Sequence, residues 1–197
     1  VKPSVFPVAL LEAAEAMKQI REHAAEWHVD TNAIAVIGFS AGGHLVTMAG
    51  AFAESGNELA KLGIDVKVSL RPDFVMAIYP VVSMRDDIAN KWSRKSLLGK
   101  NMSEERKERF SMEKQIPPTM PPTYILACRD DPVVKFENSR LLYAALKAKN
   151  IPCRFVQYET GGHGFGMLDG AFMKETHWNE DIEAWLKDRM ASFESIN

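Results

Sequence analysis

Residues Gly38-Phe39-Ser40-Ala41-Gly42 set a serine between two glycines at G-x-S-x-G spacing, a pattern able to turn a hydroxyl into a nucleophile. An apolar run, Ala33-Ile34-Ala35-Val36-Ile37, precedes it, and small, helix-compatible residues follow from Ala41 to Ala53. A serine on so tight a strand-to-helix turn takes strained backbone angles, so its neighbours must be small. The helix start then aims unbonded N–H groups and a positive dipole end at the reacting oxygen. With 12 glycines and 12 serines in 197 residues, chance yields about 0.04 such matches. The motif is a signal.

A serine hydroxyl needs a base to take its proton and an acid to hold that base. Five histidines are available. His23 and His28 belong to a helix and its end, before the serine, and read as solvated. His44 falls one helical turn beyond Ser40, where a helix-face role is expected, and His177 lies near the start of the last helix. His163 differs, because Gly161-Gly162-His163-Gly164-Phe165-Gly166 is a flexible loop directly after an apolar strand. It is the predicted general base. The acid should come from the loop after the preceding strand, where Asp130 and Asp131 are neighbours. Asp131 is preferred, since Pro132 fixes the chain after it and Val133-Val134 anchor the loop; Asp130 is the alternative. Glu159 and Asp169 are too near His163 in sequence and read as surface acids. The glycine loop lacks dinucleotide-binding spacing. No C-x-x-C or H-E-x-x-H pattern occurs, so neither a metal nor a cofactor is expected.

These side chains need a frame. Pro7 to Trp27 carries Leu10, Ala14, Met17, Ala24 and Trp27 on a 3.6-residue period, which predicts an amphipathic helix. Apolar runs predict strands at Ala33–Phe39, Phe74–Tyr79 and Tyr124–Cys128, the first read as covered on both faces, and Cys153–Tyr158 reads as a fourth. Helical patterns occupy Phe136–Lys149 and about Thr176–Met190. Strands alternating with helices give an α/β fold with a mostly parallel sheet and helices on both faces. Residues 83–116 break the rhythm with nine Lys/Arg and six Asp/Glu, and read as a small helical excursion that could also cap the site. Cys128 and Cys153 fall at opposite ends of neighbouring strands, roughly 17–20 Å apart. Free thiols are expected.

Length suits a single domain over residues 1–197. Hydrophobic residues make up 46% and charged residues 25%, which excludes a disordered or collagen-like chain. A net charge of −2 gives no general attraction to nucleic acid. Apolar runs are far shorter than the roughly 20 residues of a membrane span, so no membrane partner is expected. No secretory leader pattern opens the sequence, and a cytoplasmic location is the expectation.

The combination of Gly38-Phe39-Ser40-Ala41-Gly42-Gly43-His44-Leu45, Tyr79-Pro80-Val81-Val82-Ser83, Leu97-Leu98-Gly99, Pro117-Pro118-Thr119-Met120-Pro121-Pro122-Thr123, Asp131-Pro132-Val133-Val134, Glu137-Asn138-Ser139 and the His163 loop resembles the α/β-hydrolase esterases. Within them it is most similar to bacterial acetyl-xylan esterases and bifunctional carbohydrate acetyl/feruloyl esterases. The resemblance implies hydrolysis of carboxylic esters, often acetyl groups on sugars, with Ser40, Asp131 and His163 as triad. It also implies an oxyanion-hole donor at the Ala41 N–H and a small-molecule or carbohydrate ester as substrate. His44, Pro80, Val81 and Trp92 are the pocket residues considered. No early oxyanion loop precedes Ser40, so the chain is expected to be the C-terminal two-thirds of a longer hydrolase. Its first strand edge would then be bare, which would favour a homo-oligomer. A prolyl-oligopeptidase-like peptidase and an inactive scaffold are the competing readings.

Overall fold

The structure, a computed structural model, describes residues 6–54, 59–100 and 102–194. Four strands, β1 (Ala35–Phe39), β2 (Phe74–Ile78), β3 (Thr123–Cys128) and β4 (Cys153–Tyr158), form one parallel sheet in the order β1-β2-β3-β4. Helix α1 (Val8–Glu22) and the short α2 (Ala24–Trp27) come before β1, and α3 (Ala41–Phe52) follows it. Between β2 and β3 lie α4 (Lys91–Leu98) and α5 (Glu104–Phe110). Helix α6 (Glu137–Ala148) links β3 to β4, and α7 (Ala171–Thr176) and α8 (Trp178–Glu194) close the described chain.

Alternation along β2 and β3 sorts their side chains into two layers. Val75, Ala77 and Ile125 join Leu10, Val46, Met48, Leu142 and Leu146 beneath α1, α3 and α6. Phe74, Met76, Ile78, Tyr124 and Leu126 pack instead on Trp178, Ile182 and Trp185 of α8. Every residue of β2 and β3 is buried, as continuous apolar strands require.

The first strand departs from the expectation. It is an edge of the described sheet, and Ala35 and Ile37 are exposed, Ile37 at 41%. The face carrying Val36 meets the α1–α3 layer; on the other face Phe39 packs against Trp178 of α8, while Ala35 and Ile37 stay uncovered. Trp27 also leaves its predicted stripe. The helix breaks at His23, so Trp27 overshoots the core and lies 49% exposed, stacked on the His23 ring.

The 83–116 excursion is more than a solvated detour. Its charges do pair outside, with Asp86 bridging Arg94 and Lys107. Yet Leu98, Phe110, Met112 and Ile116 are buried in the main core. The two cysteines are free, with Cys128 facing Tyr158 rather than Cys153 in the strand register.

All four loops that follow the strands emerge at one rim. One buried side chain fixes the loop after β2: the Asn138 Oδ1, on α6, accepts the N–H groups of Val82 at 2.9 Å and Ser83 at 3.0 Å. Its amide donates in turn to the Lys135 carbonyl at 3.0 Å. Replacing Asn138 by leucine would strand two buried backbone donors, each costing about 1–3 kcal/mol. Asn138→Leu should therefore lose roughly 2–6 kcal/mol of stability in urea unfolding, whereas an unchanged midpoint would refute this role.

Candidate active site

Ser40 sits between β1 and α3 with φ 55° and ψ −116°, a region that non-glycine residues enter only under constraint. The constraint is visible. Its N–H donates to the Ile78 carbonyl at 3.0 Å, and its carbonyl accepts from Val81 and Gly43, each at 3.0 Å. The turn is thus clamped to the end of β2. Gly38 is needed because a Cβ there would fall 2.1 Å from the Gly42 carbonyl oxygen. Two glycines of the motif are in contact, which explains their spacing. Ala41 opens α3, so its N–H is one of the first-turn donors without an intrahelical acceptor.

The glycine loop after β4 brings His163 back over this turn. His163 Nε2 lies 3.0 Å from Ser40 Oγ, and His163 Nδ1 lies 2.6 Å from Asp131 Oδ2. Three residues separated by as many as 123 positions meet in one chain of hydrogen bonds. The Asp131 side chain is 2% exposed and that of His163 13%, so little water competes for these contacts. Asp131 Oδ1 accepts the N–H groups of Val133 at 2.8 Å and Val134 at 2.9 Å. Both carboxylate oxygens are therefore committed.

Asp130, the alternative acid, takes a different place. It accepts from Gly162 N at 2.8 Å and Gly161 N at 3.3 Å, holding the loop that presents the imidazole. Gly161 has φ 146°, and a Cβ there would stand 2.5 Å from Cys128 Sγ. A second support went unread in the sequence. Tyr79, at φ 37°, accepts the Gly166 N–H on its hydroxyl at 3.1 Å, and its ring centroid is 4.6 Å from that of His163. The only local signal was Pro80 ending the strand beneath it. Cys128 is no rival nucleophile: burial, with Asp130 and Asp131 nearby, pushes its thiol up to about 12. Glu159 and Asp169 are surface acids, paired with Arg129 and Lys174.

A cavity of about 280 Å³ opens beside the serine turn, lined by Ala41, Gly42, His44, Val81, Trp92 and Leu97 among others. Three of the four predicted pocket residues are therefore present. Pro80 is the correction: it is not part of the lining, but packs under α3 against Gly43, where the serine turn is clamped to β2. His44 does more than occupy a helix face. It is buried, and its ring Nε2 donates to the Phe110 carbonyl at 2.8 Å, tying α3 to α5. Among the described residues, no group of three or more His, Cys, Asp or Glu side chains could hold a metal ion.

Comparison with known proteins adds relatives to this geometry. The BD-FAE family model matches residues 1–146. Endo-1,4-beta-xylanase B of Butyrivibrio fibrisolvens is 32% identical over 184 residues, which are 92% of this chain and 28% of that protein. An acetylxylan esterase of Xylanibacter ruminicola is 28% identical over 187 residues, 92% of this chain and 35% of the relative. The chain thus spans about a third of the length of these curated relatives. Among solved structures, an acetyl ester-xyloside bifunctional hydrolase from Caldicellulosiruptor lactoaceticus superposes with a TM-score of 0.80 at 33% identity. That match covers all of this chain and 68% of the other.

The His44 tie carries a pH dependence. Burial lowers its imidazole from 6.5 to about 4, partly opposed by the Phe110 hydrogen bond. Below pH 6.5 the unfolded chain takes up a proton that the folded protein resists. This part of the stability is complete above pH 6.5 and drains away as pH falls toward 4, by roughly 2–3 kcal/mol. In urea unfolding, the stability gap between wild type and His44→Gln should shrink by that amount from pH 7 to 4.5. A constant gap would refute the assignment.

Proposed function

The chain belongs to the BD-FAE family and has an α/β-hydrolase fold, and from that premise we propose that it is a serine esterase acting on acetyl esters of carbohydrates. The observation that carries the reading is the hydrogen-bonded run Ser40 Oγ–His163–Asp131, at 3.0 and 2.6 Å. Relatives named for acetylxylan and acetyl-ester hydrolysis support the substrate class.

The chemistry follows from the atoms. Asp131 accepts a hydrogen bond from His163 Nδ1–H, which fixes the tautomer that leaves Nε2 able to take the Ser40 hydroxyl proton. Ser40 Oγ attacks the acetyl carbonyl carbon, its proton passes to Nε2, and the carbonyl oxygen gains the negative charge. The Ala41 N–H and the start of α3 stabilise that charge. The bond from carbon to the sugar oxygen then breaks, and His163 returns the proton to the departing hydroxyl. Water, deprotonated by His163, attacks the acetyl-enzyme; the bond from carbon to Ser40 Oγ breaks, His163 returns the proton to Oγ, and acetate is released. Asp130 and Tyr79 do not touch the reacting atoms; they hold the loop that keeps the imidazole within reach.

A fluorophosphonate probe and p-nitrophenyl acetate test this together. Wild type should be labelled at Ser40 and hydrolyse the ester, and Ser40→Ala should lose both. Asp131→Asn should lower kcat by about 10³–10⁴-fold with the fold intact. A folded protein that neither reacts with the probe nor turns over the ester would be a scaffold.

A further inference from the structure

Some of the large apolar side chains left in water lie on the cavity wall or on the loops that build the site. Trp92 is 77% exposed, and Val133, Met167 and Leu168 are exposed on the loops that carry Asp131 and His163. Trp92 also lines the cavity that begins at Ala41 and Gly42, so it is continuous with the serine turn rather than a separate patch.

Trp92 stands on a helix that is held firmly. Asn90 caps α4 by accepting the Ser93 N–H at 2.9 Å, and its amide donates to the Val133 carbonyl at 3.0 Å. The helix start is therefore stapled to the loop of Asp131. One turn on, Arg94 donates to the Met84 carbonyl at 2.9 Å and to Asp86 at 2.5 Å. Trp92, Ser93, Ser96 and Leu97 all line the cavity, bringing an indole and two serines to the same wall. The hydroxyls of Ser93 and Ser96 have no hydrogen-bond partner among the described residues.

That combination selects a ligand. A flat apolar face beside free hydroxyl groups suits a molecule with an apolar face and a polar rim, which a pyranose ring possesses. A purely aliphatic acyl chain would cover the indole but leave both hydroxyls without partners. The other exposed tryptophan, Trp27, stacks on His23 instead. We propose that Trp92 is the platform on which the sugar ring of the ester's alcohol part stacks, with Ser93 and Ser96 facing its hydroxyls. This deepens the carbohydrate-esterase reading and rests on it.

The experiment has two arms. In the first, steady-state kinetics compare acetylated xylo-oligosaccharide with p-nitrophenyl acetate. Trp92→Ala should lower the ratio of kcat/KM on the oligosaccharide to that on p-nitrophenyl acetate about tenfold, through KM, and Trp92→Phe should restore most of it. In the second arm, unacetylated xylotetraose is titrated against intrinsic tryptophan fluorescence. Wild type should show a saturable change that Trp92→Phe removes. An unaltered kinetic ratio, or a fluorescence change that survives in Trp92→Phe, would overturn the proposal. So would a wild type that hydrolyses p-nitrophenyl acetate yet does not bind xylotetraose, and the esterase reading would still stand. Binding that depends on Trp92, without hydrolysis of either ester, would instead sink the esterase reading alone.

Discussion

Everything at this rim depends on a backbone strained at one residue. Ser40 holds φ 55° because its N–H and C=O are both spoken for by the end of β2, and because Gly38 and Gly42 can touch. Strain of this kind costs of order 1–3 kcal/mol and persists only where the surroundings over-determine it. Here the surroundings are a parallel pair of strands, β1 and β2, in register from Ala35–Phe74 to Phe39–Ile78. Parallel pairing is what makes one rim out of four strand ends, so the same geometry that strains Ser40 delivers the β3 and β4 loops to it. Sheet order and chemistry are one constraint.

Around the strained turn, support is divided among neighbours of similar type. Asp131 binds the imidazole while Asp130, adjacent in sequence, binds the loop beneath it. The chain turns directly after β3, with the Asp131 N–H donating to the Cys128 carbonyl at 3.4 Å, so the two neighbouring carboxylates reach different partners. Tyr79 adds a ring against His163 and a hydroxyl to Gly166. The histidine is thus held by the Tyr79 ring, by the Asp131 carboxylate and through its loop, and a glycine-rich segment gains a fixed position without giving up its sharp turns.

Much of this was legible before any coordinates. The nucleophile turn, the choice of His163 among five histidines and the bounds of β4 all follow from local pattern, because backbone sterics and strand burial leave marks in adjacent residues. What escaped was fixed by contacts between distant segments. Trp27 fits the helical period, but the break at His23 moves it off the core. Pro80 is next to the site in sequence and still faces α3, since the close approach of Gly43 takes that space. His44 has the spacing of an ordinary helix-face residue, and only the arrival of Phe110, 66 residues later, makes it a buried tie. Asp130 could be named as a candidate, but its work depends on the path of the glycine loop.

The excursion shows why such contacts matter for function and not only for stability. By composition it is a charged, solvated insertion, and its outer ion pairs, being exposed, contribute little each. Its inner side is anchored by Leu98, Phe110 and Met112, which fixes α4 as a wall rather than a flap. Two polar links then join that wall to the chemistry: His44 to Phe110 on the serine helix, and Asn90 to Val133 beside Asp131. Ser40 and Asp131 therefore share one support, reached from opposite directions. A substitution that loosened α4 would move the cavity wall and the Asp131 loop together, so cavity shape and the alignment of Ser40, His163 and Asp131 are not independent properties of this fold.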